Sequence, residues 1–180
     1  SGSNIRMNDL DHIDLVVAIP GPDGTGQFLD VDKPLRFLAP GAMEGAYLWE
    51  NVAAPRLPSD FGRPSIDAGP PPAGGAKFEL ICFPAHSAGK LDVRRLDFQL
   101  SDHPDEATHF GDDPGMHRTD TIDYEIVISG KIDIVLESGA RRTLRPGTCQ
   151  VMGGVKHCWE NIYDEDCIFA VVMVGGFYEG

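Results

Sequence analysis

Two histidines and a carboxylate, His117, Asp123 and His157, stand in the last third of this chain among short alternating segments broken by glycine turns. The run Met116-His117-Arg118-Thr119-Asp120-Thr121-Ile122-Asp123-Tyr124 leads into a predicted strand that ends at Gly130. After a hairpin come Arg145-Pro146-Gly147 and, ten residues past that glycine, His157-Cys158-Trp159-Glu160-Asn161. A histidine opening one strand, an acid on the same face and a second histidine two strands later can meet at one point inside a β-barrel. Imidazole and carboxylate meeting in a partly dry cavity form a ligand set for a divalent metal. Strand alternation puts residues 117, 119, 121, 123 and 125 on one face if there is no bulge. Glu125 then also faces the bore, where it supplements or replaces Asp123 or moves a proton. His109, eight residues before His117, is the other candidate for proton transfer or a fourth ligand. Its plainer reading is a solvent-exposed loop histidine beside Asp112 and Asp113.

The elements that must hold these groups are strands. Twenty-one glycines and fourteen prolines punctuate short apolar runs, the pattern of an all-β sandwich or barrel. Strands are expected over residues 13–19, 27–31, 47–52 and 77–83. From Thr119 the pattern sharpens into strands over 123–128, 131–136, 142–144, 149–152 and 167–174. Residues 53–75, with Pro70-Pro71-Pro72, read as a long surface connection, and 85–113 fit neither period, with 85–110 suited to a lid over the barrel mouth. No capped amphipathic helix is visible.

Length sets one domain, divided here into N-terminal strands over 1–44 and a barrel over 45–180. Ser1-Gly2-Ser3 reads as a cloning remnant. The net charge of −13 and pI near 4.7 repel phosphate backbones and anionic lipid, so nucleic acid and membrane are excluded as partners. No apolar run nears the ~20 residues needed to span a bilayer, and no basic-then-apolar leader is seen. Cys82, Cys149, Cys158 and Cys167 form no C-x-x-C pair and read as buried reduced thiols, which suits a cytoplasmic location.

Residues 115–175 resemble the cupin superfamily. The first motif of that family, G-x5-H-x-H-x(3,4)-E-x6-G, is matched in frame by Gly111, His117, Thr119, Asp123 and Gly130. The second, G-x5-P-x-G-x2-H-x3-N, runs here from Gly147 to His157 and Asn161, one residue shorter and with Gly153 at the usual proline. Thr119 replaces the second histidine and Asp123 the glutamate. The resemblance implies a single jelly-roll β-barrel with extra N-terminal strands and a divalent transition metal held by His117, Asp123 and His157. Two histidines and one carboxylate suit Fe(II), and Zn, Mn and Ni are equally consistent. A metal-free pocket lined by the same histidines is the alternative. The implied function is a metal-dependent small-molecule enzyme, a lyase, isomerase or oxygenase. Its substrate is a small organic acid or an aromatic, polyketide-like compound in a bore lined by Val127, Met152 and Phe169. A non-enzymatic ligand-binding protein is the second reading. The family's habit of pairing through an N-terminal hairpin and the outer sheet implies a homodimer. Trp159 and Tyr124 read as barrel packing, Arg118 alternates outward, and the pairs Arg94-Arg95 and Arg141-Arg142 read as solvated faces.

Overall fold

The structure, a computed structural model, describes residues 10, 13–39, 41–66, 69–89, 108–110 and 115–179. Its strands are β1 (Val17–Pro20), β2 (Gly26–Leu29), β3 (Leu35–Ala39), β4 (Met43–Asn51), β5 (Ala76–Phe83), β6 (Thr108–Phe110) and β7 (His117–Thr119). They continue with β8 (Thr121–Ser129), β9 (Ile132–Leu136), β10 (Arg141–Leu144), β11 (Cys149–Gly153), β12 (His157–Glu160) and β13 (Cys167–Gly175). All pairings are antiparallel. Among the described residues no helix is long and apolar enough to cross a membrane.

The strands form two facing sheets and a separate β1-β2 hairpin. One sheet has the order β10-β9-β12-β7-β6, the other β11-β8-β13-β5-β4-β3. This is the jelly-roll barrel expected from the sequence. Turn chemistry sets the registers. Gly130, at φ 71°, turns β8 into β9, and a side chain there would strike the backbone carbonyl of Asp166.

Between the sheets lies one apolar cluster that includes Phe83, Val127, Ile132, Ile134, Trp159 and Phe169. Phe169 stacks on Phe83 with centroids 6.0 Å apart and tilts against Trp159 at 5.1 Å. Rings in these offset arrangements contribute beyond the area they bury. Buried charged residues lie beside this cluster. Directly opposed residues share a face, so the inward side of the six-stranded sheet can be followed across its strands. One row runs Val127, Phe169, Ile81; the next Glu125, Val171, Glu79; the third Asp123, Met173, Lys77, Glu50. All the charged members of these rows are buried. The outward neighbours on β8, by contrast, are the exposed Ile122, Tyr124, Ile126 and Ile128.

Several sequence expectations need correction. A strand over 35–39 was not anticipated, yet β3 pairs along β4 and edges the larger sheet. Residues 53–75 are a largely exposed connection, as expected, but they are tied to β4. Arg63 bridges Glu50 in the backbone, Ser65 is buried against the Glu50 carboxylate, and the Trp49 indole donates to the Phe61 carbonyl at 2.9 Å. Cys149 is exposed, whereas Cys82, Cys158 and Cys167 are buried free thiols. Burial and the nearby Glu165 push the Cys167 thiol up to about 12. The lid expected over 85–110 falls largely on 90–107, outside the described residues; His12, His103, Arg94, Arg95 and Gly111 also lie outside them.

Candidate active site

His117 opens β7 and His157 opens β12, and the two residues are direct cross-strand partners. Their rings therefore lie side by side, with centroids 4.5 Å apart and planes tilted by 50°. Each ring is anchored through Nδ1 to a backbone carbonyl two residues back. His117 bonds to Gly115 at 3.1 Å and His157 to Val155 at 2.9 Å. If Nδ1 carries the proton in both, both Nε2 atoms are lone-pair acceptors. Burial keeps these imidazoles neutral. It lowers His117, and it takes His157 down to about 3, helped by the repulsion that two protonated rings this close would feel. Trp159, two residues on, meets His157 edge-on at 5.9 Å and packs the pair against the apolar core.

The expected single face over residues 117–125 is broken. β7 belongs to the five-stranded sheet and β8 to the six-stranded one, so the chain changes sheets at Asp120. Alternation survives the crossing, and Thr121, Asp123, Glu125 and Val127 are all buried. These residues, however, line the opposite wall from His117. A hydroxyl chain spans the corner: Thr119 Oγ1 meets Thr121 Oγ1 at 2.6 Å, and Thr121 donates to Asp123 Oδ1 at 2.7 Å. Thr119, at the family's second histidine position, thus serves Asp123 through Thr121.

Asp123 and Glu125 form the second centre. Burial raises the Asp123 carboxyl to about 6 against one bond from Thr121. Burial and then the Asp123 charge raise Glu125 to about 8. Gln150, its direct partner on β11, donates to Glu125 Oε2 at 2.6 Å and moderates that rise. Both shifts favour the protonated carboxyl, and the rise is the greater at Glu125 because the Asp123 charge adds to burial.

The structure thus gathers the sequence-predicted residues into two pairs. His117 and His157 meet, and Asp123 and Glu125 meet. Among the described residues no three His, Cys, Asp or Glu side chains come together as ion ligands do. The donor set therefore fits a metal only in part: two imidazoles with available Nε2 atoms, and no carboxylate gathered with them. His109 is not a loop residue. It lies on β6 in register with Arg118, and its side chain is outside what the structure describes. Arg118 does not face open solvent; its guanidinium lies 3.5 Å from the centroid of the Tyr178 ring. Arg141 is engaged by Asp133 at 2.8 Å and Glu160 at 2.6 Å, so it braces the outer face of the smaller sheet.

Sequence reasoning missed Gln150, Lys77 and Glu79. The signal was present in Lys77-Phe78-Glu79-Leu80, where charged residues alternate with apolar ones. The usual phase of such a strand turns its apolar side inward; here the charged side is buried.

No family model matches the chain. It is 30% identical to the oryzines biosynthesis cluster protein J of Aspergillus oryzae over 95 residues, 47% of this chain and 53% of that protein. It is 50% identical to the phomopsin biosynthesis cluster protein D of Diaporthe leptostromiformis over 46 residues, 26% of this chain and 24% of that one. A cupin-domain-containing oxidoreductase of Neurospora crassa, srdD, is 36% identical over 79 residues, 44% of this chain and 35% of that protein. The chain thus matches about half or less of the length of these relatives. Among solved structures, the cupin domain of Schizosaccharomyces pombe Cnp3 aligns at 8% identity over 89% of this chain and 86% of that one, with a TM-score of 0.48. In its jelly-roll barrel, its two motif histidines paired in register and these stretches of shared sequence, the chain is similar to cupin-domain proteins.

Proposed function

We propose that this protein is a small-molecule enzyme that moves a proton on a carbonyl-bearing organic compound held in the barrel, as an isomerase or lyase does. One observation carries the reading. Two carboxyl groups, two residues apart on one buried strand face, both have their proton affinity raised by burial, and each has its own hydrogen-bond donor, Thr121 for Asp123 and Gln150 for Glu125. Asp123 is the base, held by Thr121, and Glu125 is the acid, held by Gln150. The neutral imidazoles across the cavity orient polar atoms of the substrate. Val171 and Met173 supply apolar surface between the charged rows. The relatives from biosynthesis clusters support an enzyme of small-molecule metabolism. A panel of 1,3-dicarbonyl compounds and 2-oxo acids, incubated in D2O and followed by proton NMR, tests the reading. Protein-dependent deuterium uptake that falls by about 10²-fold or more in Asp123→Asn is expected. If no compound exchanges faster with the protein than without it, the ligand-binding alternative takes over.

A metal-assisted form of this chemistry is the second reading, favoured by the Nδ1 anchoring of both imidazoles. His117 and His157 would hold the ion, and when bound it would polarise a substrate oxygen. Elemental analysis of protein purified without a metal-affinity step should find well under one equivalent of Fe, Zn, Mn or Ni. A full equivalent that disappears in His157→Ala would replace the metal-free reading with this one.

We also propose a homodimer through the outer face of the six-stranded sheet. Ile122, Tyr124, Ile126, Val151 and Val174 are exposed there as a contiguous apolar surface on a chain of net charge −13. Light scattering at micromolar concentration should report twice the chain mass, and Ile126→Lys should halve it. A monomeric wild type removes the proposal.

A further inference from the structure

Lys77 is buried inside the barrel, where a charge is expensive to keep. Its position follows from register. Lys77 on β5 opposes Met173 on β13, which opposes Asp123 on β8, so the ammonium and the Asp123 carboxylate rise from one row of one wall. Two strand spacings of about 4.8 Å separate their backbones. Met173 lies between them, packed against the core. On the far side the row ends at Glu50, whose Oε2 is 3.7 Å from Lys77 Nζ. Glu50 also takes Arg63 Nε at 2.7 Å on Oε1 and the Ser65 hydroxyl at 3.3 Å, so it is fixed whatever Lys77 does. Glu79, two residues along β5, is the other buried charge of this corner, in the row of Glu125. Among the described residues Lys77 is the buried cation of the barrel interior.

We infer that Lys77 stabilises the oxyanion formed when Asp123 removes a proton, so the substrate is a ketone or 2-oxo acid whose carbonyl oxygen rests on the Lys77 ammonium. The inference deepens the proton-transfer reading and rests on it for the role of Asp123. The step balances within the site. The C–H bond α to the carbonyl breaks, its proton goes to the Asp123 carboxylate, and its electron pair becomes the new carbon–carbon double bond of an enolate. The carbonyl π pair moves onto oxygen. One negative charge thus leaves Asp123 and reappears beside Lys77, with no change in the charge of the cavity. A fixed cation aimed at a developing oxyanion in a water-poor site acts on the transition state more than on the ground state.

A phenolate is a stable stand-in for the enolate, and 4-nitrophenol reports its ionisation by colour. Wild-type protein is expected to bind 4-nitrophenol as the phenolate at neutral pH. Lys77→Met should weaken that binding at least about tenfold and lower the deuterium-exchange kcat by roughly 10²-fold, with KM changed far less. Lys77→Met/Glu50→Gln removes both partners of the ion pair and keeps the variant folded if the single change does not; the same losses are expected in it. Asp123→Asn should lose exchange yet keep phenolate binding, which separates failure of the base from failure of the anchor. Phenolate affinity unchanged in both Lys77 variants, or no phenolate binding by wild type, overturns the inference.

Discussion

Glu125→Gln is expected to abolish the loss of stability that the wild-type protein suffers as pH rises from about 6.5 to 8. The Glu125 carboxyl is ordinarily ionised above about 4.5, and burial beside Asp123 holds its proton in the folded state until about 8. Over that interval the unfolded chain has released a proton that the native protein retains, so raising pH favours unfolding by up to about 1.4 kcal/mol per unit. The accumulated cost is on the order of a few kcal/mol, and Asp123 adds to it in the same sense up to about 6. His157 acts oppositely. Its folded-state value of about 3 means that stability is lost as pH falls from the usual 6.5 towards 3. The two slopes oppose each other between about 4.5 and 6.5, so wild-type stability should be broadest there and fall on both sides. Urea unfolding from pH 4 to 9 checks this: the glutamine variant should keep its midpoint on the alkaline side. A variant whose midpoint tracks wild type across that limb would show that Glu125 is ionised at neutral pH, and the acid role would go with it.

Asn161→Ala should cost on the order of 3–5 kcal/mol. Asn161 is completely buried. Its amide donates to the carbonyls of Phe83 and Glu165, both at 2.9 Å, and its oxygen accepts the Tyr163 backbone N–H at 3.0 Å. Alanine leaves two carbonyls and one N–H unpaired, each worth ~1–3 kcal/mol when no water can replace the lost partner. The bonded turn also delivers Tyr163, whose hydroxyl donates to Asp133 at 2.7 Å. Chemical denaturation gives the number directly; a change under about 1 kcal/mol would mean that other contacts hold the turn. The motif asparagine is thus a clamp between the end of β12 and the end of β5, not a member of the reactive site.

The strands after Thr119 were readable because glycine turns bound short alternating runs, and a turn residue with positive φ is a local property of the chain. β3 was not readable. Pro34, Arg36 and the exposed Leu35 and Leu38 obscure its alternation, and its partner β4 lies across a turn with no strong signal. That His117 and His157 meet was legible from motif spacing, which encodes their strand register. Asp123 stands on the other sheet from the two histidines for a definite reason. Period-two alternation says which side of a strand a residue faces, and says nothing about which sheet the strand joins. The crossing at Asp120 therefore moved Asp123 to the opposite wall without leaving a mark in the pattern. Lys77 and Glu79 were overlooked because their strand carries its charges inward, which single-strand alternation cannot distinguish from a solvated face.

That crossing has a mechanical result. The imidazole pair rides on one sheet and the carboxyl pair on the other, joined at the corner by the threonine hydroxyls. A molecule gripped by both pairs would lash the sheets together, and amide exchange along β7, β8 and β12 would slow in concert. A compound seated on one wall alone would leave the opposite sheet free to breathe.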